Sequence, residues 1–110
     1  MKVENTQAQM RKGILEYCVL SILSSQECYP SEIIGQLKQV ELIVVEGTLY
    51  PLLTRLKNAD LLDYRWEESP EGPPRKYYTL TEKGNVFLKS LKETWDTLEN
   101  AVKKLENKQL

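Results

Sequence analysis

The chain has 110 residues, 41% hydrophobic and 28% charged, with no histidine, two cysteines and a formal net charge of −1. That describes one ordinary globular domain, too poor in Cys and His for a zinc site and without the phosphate-cradling glycine loop or catalytic triad of an enzyme. The first eighty residues hold nine Lys or Arg against eleven Asp or Glu, so nucleic-acid binding would need a local, salt-sensitive patch.

Residues 1–13 are polar, and no later apolar run is long enough to span a membrane. Neither a signal peptide nor a membrane partner is expected, and the protein is expected in the cytoplasm. The first helix is predicted over residues 6–24, with Ile14, Leu15, Cys18, Val19, Ile22 and Leu23 on one face. Gly13 interrupts it, as a close packing contact or as a weak point costing about 1 kcal/mol. Cys18 reads as a small core residue within that stripe. Residues 24–29 read as a connector, which places Cys28 beside a turn.

Pro30 suits a helix start, because its missing N–H would be unpaired there anyway. The second helix is predicted over residues 30–39, with Ile33, Ile34, Leu37 and Val40 on its apolar side. Residues 41–45 are a linker. The third helix begins near Glu46 or Gly47 and ends near Ala59 or Asp60. Its Leu49, Leu52, Leu53 and Leu56 share one arc. Pro51 falls within about a turn of the start, where it is tolerated.

The period then changes to two. Leu62, Tyr64 and Trp66 alternate with Asp63, Arg65 and Glu67. Residues 69–74 read as a Pro/Gly loop, and residues 75–80 as a second strand, which together make a hairpin. Trp66 is expected on the inner face of that hairpin. Of Tyr77 and Tyr78, one should pack on the helices and the other face outward. Thr81 is a natural N-cap for a last helix reaching about Asn107. There Leu88, Leu91, Trp95, Leu98, Val102 and Leu105 recur at 3, 4, 3, 4, 3, the seam of a coiled coil.

Three helices, a hairpin and a long helix form a mainly α chain with a small β-hairpin. This is a winged helix-turn-helix followed by a C-terminal dimerisation helix. Residues 1–80 would bind DNA and residues 81–110 would pair two copies. The third helix presents Thr48, Pro51, Thr54, Arg55 and Asn58 opposite its leucines, flanked by Tyr50 and Lys57. Arg55 suits guanine or a phosphate. Arg75 and Lys76 follow the hairpin loop, where a wing meets the backbone. Glu67, Glu68 and Glu71 in the same hairpin have no evident role beside phosphate.

Three stretches resemble the PadR family of bacterial transcriptional regulators. Arg11-Lys12-Gly13-Ile14-Leu15-Glu16 is similar to that family's opening of helix one. The segment from Glu46 to Leu56, reading EGTLYPLLTRL, is similar to its recognition helix. The segment from Gly72 to Gly84, reading GPPRKYYTLTEKG, is similar to its wing and entry to the last helix. The similarity spans roughly residues 10–90, and the size fits the subgroup with a single C-terminal helix. The resemblance implies a homodimer on a palindromic operator, usually a repressor, with DNA contacts at Thr48, Tyr50, Pro51, Arg55, Arg75 and Lys76. Some members sense an aromatic compound, in one case between paired tryptophans of the last helix. Trp95 is therefore read two ways, as a plain seam residue or as a stacking surface for a small aromatic effector. No cofactor is implied. Two departures stand out. Tyr29-Pro30-Ser31-Glu32 replaces the usual Tyr-Gly-Tyr-Glu, and Asp60 stands where glycine commonly turns the chain after the recognition helix. The acidic balance keeps one rival open, a winged-helix module that binds proteins without contacting DNA.

Overall fold

The apolar spacing resolves into four helices and one hairpin in a computed structural model that describes residues 1–109. The order is α1 (Val3–Ser25), α2 (Pro30–Gln39), α3 (Glu46–Asn58), β1 (Leu62–Ser69), β2 (Gly72–Leu80) and α4 (Glu82–Asn107). This is the mainly helical winged architecture expected. α1 starts three residues earlier than predicted. Residues 1–13 are all exposed, so no apolar periodicity marks that first part.

α1 supplies Leu15, Val19, Leu20 and Leu23 to the core. α2 adds Ile33 and Leu37, α3 adds its four leucines, and the hairpin base adds Leu61, Leu62 and Tyr78. Cys18 is only partly buried, at the edge of that cluster. Gly13 meets nothing within 4 Å, so it is a weak point of α1 and not a close contact within the chain.

Three helices end in the same device without glycine. After α2, Glu41 adopts φ 66°, and the Leu42 N–H donates to the Leu37 carbonyl at 2.9 Å. After α3, Asp60 adopts φ 62°, and the Leu61 N–H donates to the Leu56 carbonyl at 3.0 Å. Lys108 closes α4 in the same way. These are Schellman ends, and Asp60 does take the left-handed conformation expected of it.

The α3–β1 turn is also where α4 is fastened. The Thr81 hydroxyl donates to the Asp60 carbonyl at 2.7 Å and accepts from the Gly84 N–H at 2.9 Å. A Cβ on Gly84 would lie within 2.1 Å of the Leu61 carbonyl oxygen, so only glycine permits this approach. Beyond Gly84, no residue of α4 is buried. The helix projects from the body, and the chain measures 56 × 33 × 23 Å. Its radius of gyration of 16.1 Å exceeds the roughly 13 Å of a compact domain this size.

The hairpin corrects the expected loop. The strands pair antiparallel from Leu62↔Leu80 to Ser69↔Gly72, so only Pro70 and Glu71 form the turn. Pro73 and Pro74 together oppose Glu68, a bulge that accommodates two prolines unable to donate to the ladder. Cys28 corrects a second expectation. It is fully buried and bridges Tyr78, with N–H to carbonyl distances of 3.2 and 2.8 Å. The connector before α2 is thus a one-residue third strand. Burial pushes the Cys28 thiol above its ordinary pKa, which makes it an inert packing group.

Candidate nucleic-acid interface

α3 is held by its leucines, all at 5% exposure or less, and turns its other side outward. Thr48, Tyr50, Pro51, Thr54, Arg55 and Asn58 are all exposed. Pro51, the sixth residue, forfeits the bond its N–H would have made to Gly47 in a helix already anchored from beneath.

The structure sorts the predicted residues into three groups. Tyr50, Thr54, Arg75 and Lys76 line one open cleft of about 500 Å³ between α3 and the hairpin, with Tyr29, Ser31 and Trp66. Pro51 and Asn58 are exposed and line neither this cleft nor the next groove. Thr48 lines a separate groove against α1, beside Arg11 and Lys12. Arg55 also leans toward α1, where its Nη2 lies 3.2 Å from Glu16 Oε2.

Strand register divides the wing's charges between its two faces. On one face, Lys76 Nζ lies 4.4 Å from the Tyr64 ring centre and 5.2 Å from that of Trp66. Lys57 reaches the same Tyr64 ring at 5.8 Å. On the other face, the Arg75 guanidinium sits 4.4 Å from the Tyr29 ring, and Arg65 sits 4.8 Å from Tyr77. Tyr29 and Tyr77 meet edge to face at 5.2 Å. Tyr78 is the buried member of its pair, and Tyr77 is the half-buried, outward one.

Arg65 differs from its neighbours. It forms a two-pronged ion pair with Glu27 and lies 3.5 Å from Glu67. Glu27 is held below its ordinary pKa by the hydrogen bond from Arg65. Glu67 therefore has a structural partner. Arg75 and Lys76 pair with no carboxylate among the described residues, which leaves them available to an anion. Nothing in the structure explains Glu68 or Glu71.

Trp66 overturns its expected placement. It shares a face with Leu62 and Tyr64, yet it is 60% exposed and lines the open cleft facing α3. Its contacts are Tyr64 and Lys76. The departure at α2 has a local answer. The Glu32 carboxylate accepts from the Tyr29 N–H at 3.1 Å, and Ser31 is exposed at the cleft's edge.

On α4, the predicted seam splits. Leu88 and Leu91 pack partly on the chain's own core. Trp95, Leu98, Val102 and Leu105 are 36%, 56%, 53% and 63% exposed. A groove of about 520 Å³ runs between α1 and α4, walled by Met10, Gly13, Ile14, Tyr17, Leu91 and Trp95. Among the described residues, no helix is long and apolar enough to cross a membrane, and no acidic or sulfur cluster could hold a metal.

The model of the transcriptional regulator PadR-like family matches residues 19–90. A crystal structure of a PadR-like transcription factor from Bacteroides fragilis is 57% identical. The match covers 92% of this chain and 98% of that one, with a TM-score of 0.78. A PadR family regulator from Eggerthella lenta is 32% identical, covering 94% and 90%, with a TM-score of 0.86. A PadR-like regulator from Bacillus cereus is 39% identical, covering 88% and 95%, with a TM-score of 0.80.

Proposed function

Because the chain belongs to the PadR-like family of transcriptional regulators, and is thus a regulator and not an enzyme, we propose that it represses transcription as a homodimer bound to a palindromic operator. The observation that carries this reading is the cleft in which Tyr50 and Thr54 of α3 stand beside the unpaired Arg75 and Lys76 of the wing. A helix fits the major groove of DNA, and side chains on its outer face reach base edges. Thr48, Tyr50, Pro51, Thr54, Arg55 and Asn58 take that role. Arg75 and Lys76 grip phosphates, which positions the helix without reading sequence. A bacterial regulator meets its operator in the cytoplasm, and that is where this one acts.

Residues 81–110 pair the two copies. The support is the heptad spacing together with the exposure of Trp95, Leu98, Val102 and Leu105. A fully exposed large apolar side chain gains about 1.5–3 kcal/mol on burial, and these four, 36–63% exposed, gain roughly half of that. Leu88 and Leu91 contribute less, because their own body already covers them in part. Two-fold pairing sets two α3 helices on half-sites about one DNA turn apart, or a multiple of it. Trp95 also walls the α1–α4 groove, whose volume suits a small aromatic effector. Such an effector would quench Trp95 fluorescence on binding.

The test is selection of duplexes from a random pool, followed by anisotropy titrations over a range of salt. A palindrome should be enriched. Arg75→Ala and Lys76→Ala should each weaken binding to all sequences and reduce the salt slope by about two, one phosphate contact per subunit. Tyr50→Ala and Thr54→Ala should instead erode sequence preference. A pool without enrichment, bound equally by all four variants, would overturn the reading in favour of a protein-binding module.

A further inference from the structure

We infer that Glu16 determines specificity: it holds Arg55 off the DNA backbone, so that Arg55 reads a base. The inference rests on the DNA-binding reading above. Among the six outward residues of α3 assigned to the groove, Arg55 alone carries a charge. Its Nη2 donates to Glu16 Oε2 at 3.2 Å, across 39 positions of sequence. Both ends of this contact have rigid supports. Leu15 and Val19 fix α1 on either side of Glu16, and Leu52, Leu53 and Leu56 fix α3 around Arg55. The Arg55 side chain is 65% exposed, whereas that of Glu16 is 33% exposed. The guanidinium thus stays open to a ligand while the carboxylate sits behind it.

The chemistry follows from the count of donors. A guanidinium has five N–H groups. Glu16 engages one nitrogen and leaves the other donors for a second acceptor. A free arginine at the edge of the groove would settle on the nearest phosphate, and that contact carries no sequence information. A fixed carboxylate beside it repels phosphate and offsets its charge. The neutral O6 and N7 of guanine pay no such penalty and still accept from the remaining donors. Discrimination then comes from a cost imposed on the wrong partner. The wing uses the opposite arrangement. There Arg75 and Lys76 rest on aromatic rings and make no ion pair within 4 Å among the described residues, although Glu67 lies across the ladder from Arg75 and Glu71 lines the same cleft. A merely structural pair this exposed would do little for stability and nothing for DNA preference.

The experiment compares the full chain with Glu16→Gln, Arg55→Gln and the double variant. Each is titrated against a selected duplex and a scrambled one of equal length, over a range of salt. Melting followed by circular dichroism checks that each is folded. Glu16→Gln should bind the scrambled duplex more tightly, by at least about threefold, with a log–log salt slope steeper by about 1.8, because the Arg55 of each subunit now neutralises a phosphate. Affinity for the selected duplex should not rise, so the ratio of the two affinities falls. With Arg55→Gln already present, Glu16→Gln should change neither quantity. Glu16→Asp keeps the charge and should keep the wild-type slope. The inference is overturned if the wild type distinguishes the duplexes and Glu16→Gln leaves ratio and slope unchanged. It is equally overturned if Glu16→Asp steepens the slope as much as Glu16→Gln. If the wild type does not distinguish the two duplexes, the DNA-binding reading itself has failed.

Discussion

α3 and α4 both carry apolar residues at three- and four-residue spacing, yet they end in opposite surroundings. α3 brings Leu49, Leu52, Leu53 and Leu56 to 5% exposure or less. α4 leaves Leu98, Val102 and Leu105 more than half exposed. The difference lies in reach. The 13 residues of α3 fit between α2 and the hairpin. The 26 residues of α4 run roughly 39 Å and leave the body after the first few turns. An apolar stripe says that a face needs a partner. Only the geometry of the rest of the chain says whether that partner is internal.

The comparison can be broken most sharply at its two ends. Leu53→Ala removes a fully buried side chain, and we expect a loss of about 3–4 kcal/mol that is the same at every protein concentration. Leu98→Ala should lower the melting temperature only where the wild type is dimeric. Equal effects for the two variants at high dilution would mean that α4 is covered by its own chain. Gly84→Ala acts at the junction between the regions. The new methyl would be forced against the Leu61 carbonyl, and we expect a loss of about 2–3 kcal/mol in chemical denaturation. A neutral result would mean that α4 can leave the body without cost.

The smallest expected effect is on pH dependence. Burial raises the pKa of both Cys28 and Tyr78, which bridge each other in the body. A group whose folded pKa is raised gives its full stability below its unfolded value and loses it as pH rises through the folded one. Stability should therefore decline from about pH 9 upward. It should be nearly flat between about pH 6 and 8, since the chain has no histidine. Thermal melts across that range would reveal a mid-range transition if another group were involved.

Much of this was legible in the sequence where the signal is local. The limits of α2 follow from Pro30 and the spacing of Ile33 and Leu37. Asp60 was readable as a left-handed turn residue and Thr81 as a cap, because each acts within a few positions of itself. What was not legible depends on distant partners. A single bridged pair, Cys28 with Tyr78, has no periodicity. Glu67 read as a charge without a role until Arg65, itself paired with Glu27, is seen beside it. Arg55 read as a free cation because Glu16 lies 39 positions away. Trp66 followed the alternation correctly, but alternation does not say that an open cleft separates it from α3. Pro73 and Pro74 read as loop because a bulge that accepts them is visible only in the register.

The division of labour between body and α4 is tested most directly by a hydroxyl-radical footprint on a selected duplex, with wild type and Leu98→Asp side by side. The account predicts two protected patches for the wild type, centred about one helical turn apart or a multiple of it. Leu98→Asp should remain folded, lose the paired pattern and protect DNA only at much higher concentration. A wild-type footprint of one undivided patch, or a paired footprint that survives Leu98→Asp, would contradict it.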